Sequence, residues 1–462
     1  MKQRALLGAR LGPALVLASL TAASFTAPAS AHSATTPFIP HPEYTYTVKA
    51  GDTLFDLANA YCVGGDAVEI MRRLNHVAEP RHLQPSTILR IPRALLRDEG
   101  TYAKVASFAG PVTLIASGQR LPAHANANIG EGTTIETGRN AFATLRLTDG
   151  TEIAIPSDSR LKLARLRRVL LTGSVERNLD LEDGRVESSV TPMHDPNSSF
   201  QVRTPLTVSA VRGTDFRVAY AATSAKAETS VVEGKVAVGH PGQNGSDPSS
   251  ITVPSGFGRA STRTGDSAVL PLLAAPSLLN PDKVQTDAEL HFSLAPLAGA
   301  ASYHVEVAHD AGAFDVVAEA TGGTDFTMPS VPSGTYFLKV SAIDGENLEG
   351  MPDIYAFERH RNSISASMSS NGSGSHRRYQ FEWQADTEGT PHFHFRLTRK
   401  APMSDAQPVP IADETGLTGT TLAITDLSPG DYQWQVSSTI STGARAVEVW
   451  TPARGFHVAE AH

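Results

Sequence analysis

The chain has 462 residues, too many for one hydrophobic core, so several domains are expected. A formal net charge of −8 with only 19% charged residues excludes a general polyanion binder, which needs a basic excess. The single cysteine, Cys62, excludes an internal disulfide framework and any cysteine-based zinc or iron–sulfur cluster.

At the start, Lys2, Arg4 and Arg10 precede a short apolar stretch over 11–20, and Ala29-Ser-Ala31 offers a processing site. Residues 1–31 are therefore expected to be a signal peptide. The mature chain is expected to be exported, with no transmembrane segment, and to be periplasmic, cell-wall associated or extracellular.

Residues 44–92 read β-α-α-β. Tyr44-Thr-Tyr-Thr-Val48 alternates like a strand, and Leu54, Leu57, Ala58 and Tyr61 recur at helical spacing. Asp66 with Glu69 suggests a capping box opening a second helix, with Ile70, Met71 and Leu74 as its buried face. Ile88-Leu-Arg-Ile91 closes the unit before Pro92. The strings Ala50-Gly-Asp-Thr-Leu54, Leu74-Asn75, Leu83-Gln-Pro85 and Leu89-Arg-Ile-Pro92 resemble the LysM module. Ser86 departs from the glycine usual in its last turn, and Cys62-Val-Gly-Gly65 lengthens the inter-helix link. The resemblance implies binding of N-acetylglucosamine glycans such as peptidoglycan in a groove between two loops. Gly51, Asp52, Thr53 and Leu54 would form one side, with Leu83, Gln84 and Pro85 on the other. Short polar side chains and backbone groups suit a neutral amino sugar, while Asp52 and Thr53 also fit a helix cap.

Residues 101–280 read as nearly all strand. Asp149-Gly150 between two alternating runs predicts a hairpin with a type I′ turn, positive φ at both central residues. The motifs Ile129-Gly-Glu-Gly132, Leu147-Thr-Asp-Gly150, Val202-Arg-Thr-Pro205, Val211-Arg-Gly-Thr214 and Val232-Glu-Gly234 are similar to those of the FecR family. The resemblance implies an all-β roll or sandwich that engages a protein partner. Its best-studied members regulate a cytoplasmic sigma factor through a membrane span. Neither that span nor a cytoplasmic tail is expected here, so the anti-sigma role is not carried over. Arg160, Lys162, Arg165, Arg167 and Arg168 interleave with Leu161, Leu163 and Leu166. This pattern fits a solvated strand face with leucines inward, and no aromatics interleave for stacking on nucleic acid. Arg212, beside a turn glycine, is expected to satisfy nearby carbonyls.

The last 180 residues or so carry a repeat, Ser333-Gly-Thr-Tyr336 and Pro429-Gly-Asp-Tyr432 each opening a long alternating strand. Two β-sandwiches are expected at 284–359 and 379–458, resembling fibronectin type III domains, with Tyr336 and Tyr432 as tyrosine corners. The serine-rich stretch 360–378 reads as a flexible linker. Residues 242–462 hold thirteen basic against twenty-five acidic side chains, which places the acidity in this half and leaves 44–92 balanced.

No catalytic constellation emerges. His392 and His394 share a strand face without a third ligand, and His194-Asp195 sits in a Pro-flanked loop. No catalytic residue, metal site or cofactor is expected. The sequence thus predicts a mainly all-β, multidomain, non-enzymatic envelope protein: a small β-α-α-β module, a FecR-like roll or sandwich, and two sandwiches. Peptidoglycan and an unidentified envelope protein are the expected partners. The alternative is a periplasmic signal-sensing or regulatory protein acting through the FecR-like domain.

Overall fold

The computed structural model describes residues 43–241, 250–281, 283–371, 377–400, 408–442 and 445–460, so the expected signal peptide lies outside the described residues. Strand β1 (Glu43–Thr47) pairs antiparallel with β2 (Ile88–Pro92), placing Tyr44 opposite Ile91 and Tyr46 opposite Leu89. These four side chains share one face and are buried with Leu54, Leu57 and Met71 of helices α1 (Leu54–Tyr61) and α2 (Ala67–Leu74). Thr53, in extended backbone, caps α1 by accepting from the Asp56 N–H at 3.0 Å. Losing such a cap costs about 1 kcal/mol.

The second helix departs from expectation. Asp66 makes no capping bond, because its φ of −96° and ψ of 4° leave the extended geometry a capping side chain needs. Glu69 turns forward instead, to Arg72 and Arg73 on the same helix face. Ala67 and Met71 form the buried stripe, and Ile70 sits on its flank, 39% exposed.

Strands from Asp98–Gly100 to Leu270–Pro271 close into a β-barrel around Val105, Ile135, Leu145, Leu163, Phe200 and Val218. The fifteen-residue strand Val175–Ser189 organises it. Its first half pairs antiparallel with Arg160–Val169 and parallel with Ser199–Arg203. Its second half pairs with Asp215–Ala221. The direction changes near Gly184, whose φ is +86° and where a Cβ would lie 2.5 Å from the Ser159 Cα, so only glycine fits. The hairpin at Asp149-Gly150 is present, but only Gly150 has positive φ there. The Gly150 N–H bonds the Leu147 carbonyl and the Leu147 N–H bonds the Thr151 carbonyl, a three-residue loop closed by a left-handed glycine. The turn is thus centred on Thr148 and Asp149 rather than on Asp149 and Gly150, and a β-branched residue at its first central position disfavours the positive φ of a type I′ turn.

Within Arg160–Val169 the leucines are buried and the arginines paired: Arg160 with Glu136 and Glu182, Arg165 with Asp98 and Glu176, Arg167 with Glu131, Arg168 with Glu99. The basic run is a cross-strand ion-pair ladder. Arg212 donates to the Asp195 carbonyl at 2.8 Å.

The C-terminal half holds two sandwiches. The first faces the sheet of Leu278–Leu279, Leu290–Leu294 and Asp325–Met328 against Val316–Gly322, Ser302–Ala308, Gly334–Ile343 and Asp353–Arg359. The second has an aromatic core of Phe381, Trp383, Phe395 and Trp434. Within the 360–378 stretch, expected as a flexible linker, most of the described residues are strand. Asn362–Asn371 is a strand pairing with Arg378–Thr387 over ten residues, and residues 372–376 lie outside the described residues. Ile364, Ala366 and Met368 pack inward at every second position, a period-two signal hidden by the serines between them. Asn362 is buried and donates to the Ser438 and Val447 carbonyls at 2.9 and 3.0 Å. The Tyr432 hydroxyl donates to the Ser428 carbonyl at 2.7 Å, as a tyrosine corner does, while Tyr336 stacks on Phe357.

Candidate functional site

The two loops named from sequence flank one end of the β-α-α-β unit. Backbone bonds fix them side by side: the Leu54 N–H donates to the Pro80 carbonyl at 2.9 Å, and the Ser86 N–H to the Val48 carbonyl at 2.8 Å. Gly51 is exposed with φ +89°. Asp52 Oδ2 accepts from the Tyr46 hydroxyl and the Lys49 N–H, both at 2.8 Å. Among the described residues its Oδ1 accepts no hydrogen bond, which leaves an acceptor at the loop surface. Burial, then the bond to Asp52, push the Tyr46 hydroxyl up to about 12, so it remains a donor. Thr53 is committed twice, to the Asp56 N–H and, at 2.7 Å, to the Asp56 carboxylate.

The side chain of Leu54 is fully buried, so only its backbone is available to a ligand at these loops. Leu83 is half-buried against the module's core, while Gln84 and Pro85 are exposed. Ser86 adopts φ +68°, so the chain keeps the left-handed turn despite lacking glycine, at a strain of roughly 1–2 kcal/mol. Phe55 escaped the sequence reading. It is 43% exposed beside Leu54, and the Arg81 guanidinium stands 5.9 Å from its ring centroid. An aromatic residue out of phase with the Leu54, Leu57, Ala58 stripe was the available signal. The arrangement offers one apolar ring, one free carboxylate oxygen and exposed loop backbone, the contacts an acetamido sugar can use.

The module is also welded to the barrel. Glu176, buried in the long barrel strand, accepts from the Tyr44 hydroxyl at 2.6 Å, from Arg93 at 2.5 and 2.9 Å, and from Arg165 at 2.6 Å. Burial alone would raise the Glu176 carboxyl, but the Arg93 and Tyr44 hydrogen bonds and the Arg165 charge hold it at about 2. Asn197 completes the contact at the edge of β1, accepting from the Thr45 N–H at 3.0 Å and donating to the Thr45 carbonyl at 2.9 Å.

A second buried network joins the barrel to the first sandwich. Arg185 meets Glu349 at 2.8 Å, Lys339 meets Glu187 at 2.6 Å and Glu306 at 2.8 Å, and His304 lies 3.3 Å from both Glu319 and Glu349. His304, Glu306 and Glu319 converge closely enough to ligate a cation. Arg185 and Lys339 already supply positive charge there, so the cluster reads as an ion-pair network. His394 is paired with Asp413 and packs against Trp450, while His392 is exposed. No helix among the described residues is long and apolar enough to cross a membrane.

Comparison with known proteins gives two family matches: LysM domain over residues 46–92 and FecR protein over residues 133–237. No curated protein matches. Among solved structures, a putative anti-sigma factor from Parabacteroides distasonis ATCC 8503 is 21% identical with a TM-score of 0.24, covering 30% of this chain and 57% of its own. The chain thus spans a little over half the length of that structure. The FN1–FN3 domains of chicken CNTN1 are 15% identical with a TM-score of 0.22, covering 54% and 95%. Fibronectin(III)-like modules of Clostridium thermocellum CbhA are 11% identical with a TM-score of 0.18, covering 40% and 94%. The chain is therefore similar to LysM domains over residues 46–92 and to FecR proteins over residues 133–237, followed by an all-β region consistent with fibronectin type III-like domains.

Proposed function

We propose that the protein is a non-enzymatic, exported envelope protein that holds peptidoglycan through residues 51–54 and 83–85 and presents its FecR-like barrel to a protein partner. The observation that carries this reading is the pair of pinned loops, Leu54 to Pro80 and Ser86 to Val48, which hold the segment of Asp52 and the exposed Phe55 against the 80–86 loop. The matches to LysM domain and FecR protein support the two halves of the proposal. Co-sedimentation of the mature chain with purified insoluble peptidoglycan tests it: the protein pellets with the wall polymer and is released by soluble N-acetylglucosamine oligomers. A protein that stays in the supernatant contradicts it.

A second reading, signal transmission through the barrel, draws on the weld at Glu176, which couples the glycan module rigidly to the FecR-like domain. It predicts a protein crosslinked in cells to residues 101–280. Cells that yield no stable neighbour would count against it.

A further inference from the structure

The outer face of the barrel bears a cavity of about 590 Å³ over the strands Ser199–Arg203, Val208–Val211 and Lys235–Gly239. Phe200, Val202, Val211 and Val236 point into the barrel core. Strand alternation therefore sends Ser199, Gln201, Ala210, Arg212, Lys235 and Ala237 outward, and all six line the cavity. Gln201 faces Ala210, and Ala210 faces Ala237, so these three make one row across the sheet. Ser199 and Lys235 on their strands, with Arg212 just past the end of Val208–Val211, complete the six.

Two observations mark the cavity as built for a ligand. Ser199 Oγ and Gln201 Oε1 have no hydrogen-bond partner, although the residues are only 7% and 2% exposed. Native folds seldom leave such atoms unsatisfied without a reason. The second is charge. Arg212 and Lys235 both line the cavity, bringing two like charges to one site. Among the described residues neither forms an ion pair, and the Arg212 guanidinium spends one N–H on the Asp195 carbonyl. Elsewhere in the barrel, on the strand Arg160–Val169, every arginine has a carboxylate.

The volume lies within the usual range for small-ligand sites. An occupant must bring an anion to Arg212 and Lys235, a donor to Gln201 Oε1, and a slim apolar body across Ala210 and Ala237. A peptide end meets all three, with its terminal carboxylate, the N–H of the residue before it and small side chains. The planar carboxylate also suits the guanidinium fork. We propose that this cavity binds the C-terminal end of a short peptide with small side chains, its carboxylate held by Arg212 and Lys235 and its amide N–H by Gln201. The site is independent of the glycan groove.

Titration calorimetry on the full chain tests this with N-acetyl-alanyl-alanine, its C-terminal amide, and inorganic phosphate. The free acid is expected to bind saturably and the amide about tenfold or more weaker. Lys235→Met, at an exposed position, and Gln201→Leu should each weaken the acid several-fold. Sedimentation with peptidoglycan should be unchanged in Lys235→Met, and an unchanged thermal midpoint reports that the variant barrel is folded. Equal binding of acid and amide, or no saturation by the acid at about 20 mM, overturns the proposal. So does phosphate binding tighter than the peptide, which would mark a simple anion site, and so does Lys235→Met binding the acid as wild type does.

Discussion

Glu176→Ala is the perturbation that most sharply tests how the N-terminal module is held. The carboxylate collects four hydrogen bonds from Tyr44, Arg93 and Arg165, and its removal leaves Arg93 buried with only Asp98 as a charged partner. Deleting one partner of a buried ion pair costs roughly 3–5 kcal/mol. Linkage gives a similar figure by another route. The Glu176 carboxyl is held at about 2 against an ordinary 4.5, a gap worth about 3 kcal/mol at neutral pH. Because the folded value is depressed, this contribution is present above about pH 4.5 and is lost as pH falls toward 2. The retained Arg93–Asp98 pair places the expectation at the lower end, about 3 kcal/mol, which is about two decades in an opening equilibrium. Hydrogen exchange followed by mass spectrometry is the assay. Amides of β1, β2 and the adjoining barrel strand should exchange about a hundredfold faster in the variant, while residues 290–458 keep wild-type protection. Unchanged exchange over 43–97, or a rise spread evenly through the chain, would refute the claim that Glu176 anchors the module.

Other outcomes follow from the same structure. Asn362→Ala should lower the stability of the second sandwich by about 1–3 kcal/mol, since the Ser438 and Val447 carbonyls lose their donors; urea unfolding followed by tryptophan fluorescence reads this, because all three tryptophans lie there. His304 is raised above its ordinary value: burial and the Arg185 charge oppose protonation, but the Glu349 and Glu306 charges and the Glu319 hydrogen bond outweigh them. Its stabilising charge is therefore fully present below about pH 6.5 and fades as pH rises through the raised value. The thermal midpoint should fall over that window in wild type and stay flatter in His304→Gln, and equal slopes would discredit the assignment. Ser86→Gly should relieve the strain at φ +68° and stabilise the module by up to about 1 kcal/mol, read by exchange of the β2 amides.

Much of the architecture was legible because it depends on local periodicity. The Leu54, Leu57, Ala58 spacing forms α1, and the leucines of 161–166 turn inward as alternation requires. The strand at 362–371 was hidden because its serines and asparagines carry the composition of a loop, while burial of Ile364, Ala366 and Met368 depends on the partner strand Arg378–Thr387. The inter-domain welds were invisible for a different reason. Tyr44 meets Glu176 across 132 positions and Arg93 meets it across 83, and no sequence pattern announces pairing at that range. At the groove, the loops were readable from the Gly51-Asp-Thr-Leu54 string, but the division of labour was not. Thr53 is consumed by capping and Leu54 by the core, which shifts the weight of any ligand contact onto Asp52 Oδ1, Phe55 and Gln84.

The most direct test of glycan binding is therefore titration of a soluble N-acetylglucosamine tetramer into the full chain, comparing wild type with Phe55→Ala. Phe55 is exposed, so its loss should leave folding intact while removing a sugar-facing ring worth about 1 kcal/mol or more. Saturable binding by wild type, weakened at least about fivefold by Phe55→Ala, is the predicted result. No heat of binding from wild type, or equal affinity in the two proteins, would contradict it.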